Sequence, residues 1–381
     1  MLTLAVASCA LALVFTVVSA VLLRPLPFRD PDRLAIVWEK RQSEAGKYGV
    51  SGADFYDWQR GAAGAAAVMV AQDEHPMILA GHEPERVLAM LTTPGYVETF
   101  GVAPVLGGVG GANSALLSYG LWQRRFGGDR DVIGKSIRLD GGAYDVAGVM
   151  PANFRMFFGR SPADVYIPLE MPSNLRQSRD DHSFLVTARL RDGATFEQLG
   201  EALNGVNARL HREFPGTNVG HDALVIPITR EVTESARPAL LMLLSAAGLL
   251  MLLACANVAN LLCTRNLSRA NEFAIRRALG ASWSDAAKLV LAEAAMLALT
   301  AGGMGLIFAR LAVPLLGTLV PKTIGPVILP GMERLELDWV VILFSGGIGL
   351  LMTLMGAAEP LLRLGFLGGG PLPDGSRLSR R

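Results

Sequence analysis

Four long apolar segments divide the chain, and a polar region of over 200 residues separates the first from the other three. The segments are residues 1–23, about 239–263, 290–316 and 339–356. A helix needs about 20 apolar residues to cross the hydrocarbon core of a bilayer, so each segment is close to the required length. We therefore predict a membrane protein with four transmembrane α-helices and a large α+β extracytoplasmic domain inserted between helices 1 and 2.

The first apolar segment has two interpretations. Val18-Ser19-Ala20 is compatible with cleavage of a secretory signal peptide. The segment has no basic residue near its start, however, and its apolar run continues through Leu23. We therefore predict that residues 1–23 stay in the membrane as the first helix.

The polar region, residues 24–237, alternates between strand and helix patterns. A run of β-favouring residues at 34–39 predicts a strand, and apolar residues three to four apart predict helices at 52–60 and 195–214. Two β-patterned arms surround Asp140-Gly141-Gly142, which predicts a hairpin over 133–149. Further strands are predicted at 77–80, 85–91, 164–169, 183–190 and 222–228. The mixture indicates an α+β domain.

Composition supports the membrane assignment and excludes one class of partner. Hydrophobic residues make up 51% of the chain and charged residues only 18%. The net charge of +1 gives no overall attraction to nucleic acid, so we expect no nucleic-acid partner. Cys9, Cys255 and Cys263 all lie in apolar segments, which argues against a disulfide framework or a Cys-X-X-Cys metal site.

Basic residues in the short loops predict the orientation of the helices. The loop between the second and third segments carries five: Arg265, Arg269, Arg276, Arg277 and Lys288. The next loop carries only Lys322 and Arg334, whereas four arginines follow Gly356. Because Lys and Arg concentrate in cytoplasmic loops, we predict that the loop 265–288 and the C-terminus are cytoplasmic and the large domain is outside.

No residue pattern predicts catalysis or a bound cofactor. Gly134-Lys135-Ser136 resembles the end of a phosphate-binding loop, but Asp129 replaces the first glycine and the segment enters a strand. Asp180-Asp181-His182 contains enough ligands for half of a metal site; a solvated loop is the favoured interpretation, since no second ligand pair lies nearby in sequence. We predict no enzymatic activity, no cofactor and no catalytic or metal-binding residue.

Polar and small residues within the apolar segments predict helix contacts. Asn257 and Asn260 either line a polar path or hydrogen-bond between helices, and the second interpretation is favoured. Small residues four apart allow helices to approach closely; they are Ala294, Ala298 and Gly302 in the third segment and Ser345 and Gly349 in the fourth.

Several sequence blocks, in this order along the chain, resemble those of MacB/FtsX-type ABC-transporter permeases. The outer-domain blocks are residues 22–27 (LLRPLP), 117–122 (LSYGLW) and 146–151 (VAGVMP); the membrane blocks are 257–262 (NVANLL) and 272–281 (EFAIRRALGA). The chain is similar to one half of a duplicated orphan permease. The resemblance implies a MacB-like periplasmic domain at 24–237 and an FtsX-like domain at 238–357, whereas 358–381 has the composition of a disordered tail.

The resemblance also implies a function. Such permeases work as dimers, or as pairs of repeats, with a cytoplasmic ABC ATPase in the bacterial inner membrane. ATP hydrolysis by that partner moves the periplasmic domain, in efflux or mechanotransmission. Carried over to this chain, the ATPase-contacting residues of the coupling loop 265–288 are Glu272, Ile275, Arg276, Leu279 and Gly280. The alternative is a membrane-anchored extracytoplasmic binding or scaffold protein without ATPase coupling, including a truncated, inactive permease.

Overall fold

A computed structural model describes residues 1–42, 46–154, 162–268, 275, 283–319, 323–324, 327–329, 331–332 and 335–367. The chain forms two compact units. The helical unit contains Met1–Arg24, Ala236–Lys322 and Gly331–Arg381, and the sheet unit contains Pro25–Ser235 and Thr323–Pro330.

In chain order the described helices are α1 (Leu2–Val18, extended by a π-helical turn at Ser19–Leu23), α2 (Gly52–Gly61), α3 (Tyr96–Phe100), α4 (Tyr119–Phe126), α5 (Ser173–Gln177), α6 (Phe196–Glu213), α7 (Ile228–Glu234), α8 (Arg237–Ser268), α9 (Trp283–Leu319) and α10 (Trp339–Leu367). Of these helices, α1 and α8–α10 belong to the helical unit and α2–α7 to the sheet unit.

Ten strands form one mixed sheet in the sheet unit. They are β1 (Leu34–Arg41), β2 (Ala66–Leu79), β3 (Glu85–Thr92), β4 (Leu106–Gly107), β5 (Ser114–Leu117), β6 (Ser136–Leu139), β7 (Gly142–Val149), β8 (Val165–Pro168), β9 (Leu185–Leu190) and β10 (His221–Pro227). Their order is β10-β1-β9-β2-β3-β8-β5-β7-β4, with β6 pairing β2 and β7. β11 (Thr323–Ile324) and β12 (Val327–Ile328) form a separate antiparallel pair.

Two amphipathic helices pack against the β10-β1-β9-β2 end of the sheet. The Ser51 hydroxyl caps α2 by accepting from the Asp54 amide at 3.1 Å, and Thr195 and Gln198 form a capping box at the start of α6. Their apolar faces bury Phe55 and Trp58 from α2 and, from α6, Leu199, Leu203 and Leu210. This burial fixes both helices in the positions that the helical periodicity predicts.

Aromatic side chains form a second core beside α3. Its rings belong to Phe28, Tyr96, Phe100, Phe154 and Tyr166, with neighbouring centroids 4.8–6.3 Å apart. These tilted and edge-on contacts are typical of buried aromatic clusters. The cluster joins the chain entering the sheet unit to α3 and β8.

The predicted hairpin is present, and its turn explains the choice of residues. β6 and β7 pair in antiparallel register, with Leu139 opposite Gly142. Asp140 and Gly141 have φ values of 46° and 85°, the left-handed conformations that a two-residue hairpin turn requires. An Asp-Gly pair adopts them at low cost.

Other boundaries differ from those predicted. β2 begins at Ala66 rather than near residue 77. The alanines in its first half weaken the sequence signal for a strand, since alanine is depleted in strands. The short elements α5, α7 and β4 are absent from the predicted pattern.

Three described helices are long and apolar enough to cross a membrane: Leu2–Leu23, Arg237–Arg265 and Ala287–Gly317. A fourth apolar stretch, Trp339–Met355, is shorter. The chain thus has the composition of a membrane protein with a large α+β domain between its first two apolar helices, and the count of four spans stays a prediction.

Candidate functional site

Helix α1 lies against all three other apolar helices of the helical unit. Of the residues in its apolar stretch, 61% are buried within the protein, against 28% in each of α8 and α9. The rings of Phe15 in α1 and Phe344 in α10 stack with centroids 3.8 Å apart. A displacement of any neighbouring helix therefore acts directly on α1.

Helix α1 approaches α9 closely at Gly305, a glycine that the four-residue spacing does not predict. A methyl group added to Gly305 would lie 2.6 Å from Cβ of Ser8 and 2.8 Å from the carbonyl oxygen of Ala5. Gly302, which was predicted to allow close contact, has nothing within 4 Å of that position, so that prediction is wrong. Helical spacing alone cannot tell which glycine of Gly302, Gly303 and Gly305 faces the neighbour.

The other small residues selected from the sequence do face the bundle. Ala294 and Ala298 are buried, with exposed fractions of 0% and 7%, and so is Ser345. Gly349 lies within van der Waals distance of Met251 and Ser8. These positions let α8, α9 and α10 close around α1.

Asn257 and Asn260 are exposed on the outer face of α8. Neither amide side chain hydrogen-bonds to another residue within the described part of the chain. Leu250, Leu253, Asn257, Asn260 and Thr264 follow a three-four spacing, and all are exposed. This spacing places the five side chains along one face of the helix, which we call the α8 seam.

Four of the five predicted coupling residues lie outside the described residues: Glu272, Arg276, Leu279 and Gly280. Ile275 is described; it is helical and 63% exposed. Helix α8 continues to Ser268, beyond its apolar span, and α9 begins at Trp283, four residues before its own span. The helices that flank the predicted loop thus extend past their apolar spans.

A second polar site lies at the β10-β1-β9 edge of the sheet. The carboxylate of Glu39, which is 1% exposed, lies between two imidazoles. Its Oε2 is 3.2 Å from Nδ1 of His182 and its Oε1 is 3.0 Å from Nδ1 of His221. One donor atom from each of the three residues lies within 4.8 Å of the others.

Burial and neighbouring charges shift the pKa of His221. Burial lowers this pKa, and Arg41 and His182 act in the same direction, whereas Glu39 and Asp54 raise it. The Nε of Arg41 lies 3.4 Å from Glu39 Oε1, while its guanidinium covers the Tyr48 ring at 4.5 Å. The surroundings of His221 therefore oppose its protonation.

Asp54 of α2 anchors the two segments that carry the histidines. Its Oδ1 pairs with Arg179 and accepts from the Asn218 amide at 3.0 Å. Arg179 precedes His182 by three residues, and Asn218 precedes His221 by three. One buried carboxylate thus fixes the approach of both histidines to β1.

Only one member of this cluster, His182, is a candidate ligand in the sequence. Beside Asp180 and Asp181 it predicts a solvated loop; Asp180 is exposed, whereas the His182 side chain is only 13% exposed. Its partners lie more than 35 residues away, so ligand spacing along the chain does not reveal them. The pairing of β1 with β10 could have identified His221. In that pair His221 lies opposite Arg41, two residues from Glu39.

The segment Gly134-Lys135-Ser136, which resembles the end of a phosphate-binding loop, has a different structure. Lys135 pairs with Asp129 at 2.9 Å, and the chain after it enters β6 rather than a helix. This geometry differs from a phosphate-binding loop, which opens a helix.

Comparison with known proteins agrees with this architecture. Residues 1–206 match the family model of the MacB-like periplasmic core domain, and residues 244–367 match the FtsX-like permease C-terminal model. The first match covers α1 and most of the sheet unit, and the second covers most of α8 together with α9 and α10. The chain belongs to the MacB/FtsX-type family of ABC-transporter permeases.

Individual relatives cover parts of the chain. A Pseudomonas fluorescens protein described as a "Probable export ATP-binding/permease protein" is 26% identical over 195 residues, which cover 51% of this chain and 29% of that protein. The chain thus spans less than a third of the length of this relative.

Two solved structures are similar to about half of the chain. A domain of a permease protein from Porphyromonas gingivalis has 24% identity and a TM-score of 0.42, covering 53% of this chain and 92% of that domain. The periplasmic region of MacB from Actinobacillus actinomycetemcomitans has 12% identity and a TM-score of 0.39, covering 54% and 92%.

Proposed function

We propose that this chain is the permease subunit of an ABC-type efflux or mechanotransmission system in a bacterial inner membrane. A partner ATPase on the cytoplasmic side hydrolyses ATP, and the helices transmit the resulting motion to the periplasmic domain. The observation that carries this proposal is the packing of α1 against α8, α9 and α10. Because α1 leads directly into the sheet unit, movement of α8 and α9 reaches the chain segment that enters the outer domain.

The coupling element of the proposal is the loop 265–288, with Glu272, Ile275, Arg276, Leu279 and Gly280 contacting the ATPase. Its support is the basic character of the loop, the extension of its flanking helices past their apolar spans, and the exposure of Ile275. The C-terminus is proposed to be cytoplasmic for the same charge-based reason.

Pairing with a second copy, or with a second permease repeat, belongs to this proposal. Two asparagines facing lipid would be costly, since hydrocarbon offers their amides no partner. Their position on a three-four seam of α8 supports a facing helix that satisfies them.

The ATPase interaction is tested by co-purification. The full chain in detergent is mixed with candidate ABC ATPase subunits, and both complex formation and ATP hydrolysis rate are measured. The proposal expects binding that is lost when Arg276→Glu and Leu279→Ala are combined and kept in a Glu201→Lys control on exposed α6. Wild-type chain that neither binds nor alters hydrolysis by any candidate refutes coupling and favours the scaffold alternative.

The topology is tested separately with cysteine labelling. Cys9, Cys255 and Cys263 are first replaced by alanine, and single cysteines are then introduced as Ser282→Cys and Glu201→Cys. A membrane-impermeant maleimide on intact spheroplasts should label the cysteine at position 201 at once and the one at position 282 only after lysis. The reverse pattern overturns the proposed orientation.

A further inference from the structure

We infer that Glu39, His182 and His221 form a binding site for a divalent transition-metal ion, with zinc the best-matched ion. This site lies in the sheet unit and is independent of the proposed coupling to an ATPase. The inference rests on the chemical identity of the three ligand residues and the distances between their donor atoms. It also rests on the buried histidine nitrogens and on the neighbouring residues that hold the ligands in place.

The donor set suits zinc. Zinc is a borderline cation that binds both imidazole nitrogens and carboxylate oxygens, and zinc sites with three protein ligands leave a fourth position for water or another ligand. In a tetrahedral site with metal–ligand distances of about 2.0–2.1 Å, neighbouring donors lie roughly 3.3 Å apart. Each histidine Nδ1 lies close to that distance from one oxygen of Glu39, 3.2 Å from Oε2 for His182 and 3.0 Å from Oε1 for His221, so the carboxylate would face the ion with both oxygens.

The ring nitrogens themselves point to a missing partner. His182 Nδ1 and His221 Nδ1 are buried and lie 3.2 and 3.0 Å from oxygens of Glu39, but neither makes a directed hydrogen bond to Glu39 or to another described residue. Buried polar atoms are nearly always satisfied, so two such atoms facing one carboxylate call for an explanation. A cation between the three residues would satisfy both nitrogens and the carboxylate together.

The surroundings hold the ligands in place. The carbonyl oxygen of His221 lies 2.7 Å from His211 Nε2, and Asp54 anchors both histidine-bearing segments through Arg179 and Asn218. A methyl group on Gly49 would lie 2.2 Å from the His182 carbonyl oxygen, so only glycine admits that segment. Such outer contacts orient metal ligands and reduce the cost of binding.

One neighbour opposes the cation. Arg41 lies 3.4 Å from Glu39 Oε1, and its positive charge weakens metal binding. The same charge supplies a diagnostic variant. Arg41→Gln raises zinc affinity if the cluster is a metal site, whereas it only removes an ion pair if the cluster is a salt-bridge network.

The test is zinc titration of the full chain in detergent, purified through a histidine-free tag and stripped with chelator. Zinc is delivered against a chromophoric competitor, and Co²⁺ spectra report tetrahedral coordination. We expect one ion per chain, lost in His182→Gln and in His221→Gln. The exposed-histidine controls His75→Gln and His82→Gln should bind as the wild type does. The positioning variant Asp54→Asn should lose about tenfold in affinity and still bind one ion.

Each outcome decides the inference. Wild-type chain that binds no zinc, or variants at positions 182 and 221 that bind as tightly as wild type, overturns it. Should the glutamine variants fail to fold, Arg41→Gln remains informative: tighter zinc binding supports the site and unchanged or weaker binding overturns it. ATPase binding, measured on the same samples, tests the proposed function separately.

Discussion

Arg24, at the end of α1, pairs with Oδ2 of Asp338 at 3.1 Å, and Asp338 uses its Oδ1 to cap α10 by accepting from the Val341 amide at 2.9 Å. One carboxylate therefore joins the first and last helices of the helical unit and also begins the last one. Both side chains are roughly 30% exposed, so the ion pair is partly screened.

Variants of Asp338 separate these two roles. We expect Asp338→Ala to destabilise the helical unit by about 1–2 kcal/mol, because it removes both the cap and the ion pair. Asp338→Asn keeps a cap acceptor and should cost less than about 1 kcal/mol. Thermal unfolding in detergent provides the measurement, and equal losses in the two variants would show that the cap contributes nothing.

Gly305 and Gly302 form a matched pair for the contact between α1 and α9. Alanine at 305 places a methyl group against α1 backbone, so we expect a loss of about 1–3 kcal/mol from overpacking. Alanine at 302 meets open space and should be neutral or stabilising by up to about 1 kcal/mol, since alanine favours helix. The melting temperatures of the two variants are compared in the same detergent; a similar effect at both positions contradicts the close approach.

The buried phenol of Tyr96 predicts that the stability of the sheet unit falls at alkaline pH. Burial raises the pKa of its phenol well above the ordinary value, and Tyr166 adds to the shift. A raised folded-state pKa contributes stability that is present below the unfolded value near 10 and is lost as pH rises beyond it. Tyr96→Phe should therefore reduce the alkaline loss of stability.

The same variant has an effect at neutral pH. The Tyr96 hydroxyl is buried and makes no hydrogen bond to another described residue, so its removal should leave stability unchanged or raise it. Chemical unfolding of the full chain at pH 7 and pH 10.5, compared with wild type, measures both effects. Destabilisation by more than about 1 kcal/mol at pH 7 would indicate a partner for the hydroxyl.

The seam on α8 predicts where two permease copies meet. With native cysteines replaced, Leu253→Cys should form a disulfide between copies in membranes under mild oxidation. Leu343→Cys on α10 is equally exposed, at 64% against 67%, and should not. Adding Asn257→Leu and Asn260→Leu should weaken the Leu253 cross-link, because the interhelical amide bonds are lost. Equal cross-linking at both positions argues against a defined interface on α8.

Sequence patterns predict this fold best where local chemistry decides the outcome. The apolar segments, the Asp140-Gly141 hairpin and helices α2 and α6 follow from hydrophobic period, turn residues and caps. The order of the sheet strands does not follow, because β1 lies between β10 and β9 through long-range pairing that no local signal encodes.

The same distinction explains the two sites. The proposed coupling loop is contiguous, so its charge and the family resemblance suffice to propose it from the sequence, and it stays a prediction. The Glu39 cluster draws its residues from positions 39, 182 and 221 and exists only after β1, β9 and β10 are aligned. Similarly, the choice of Gly305 over Gly302 depends on the rotation of α9 about its axis, which apolar composition leaves undetermined.

The burial of α1 has a consequence for synthesis. The helix that contacts the three other described helices of its unit also leaves the ribosome before them, and over 200 residues separate it from α8. At about 5–20 residues per second, α1 waits roughly 10–40 s in the membrane before its first partner is made. During that interval its small-residue face, including Ser8, is uncovered. The nascent chain therefore depends on the insertion machinery or surrounding lipid to shield that face until α8 arrives.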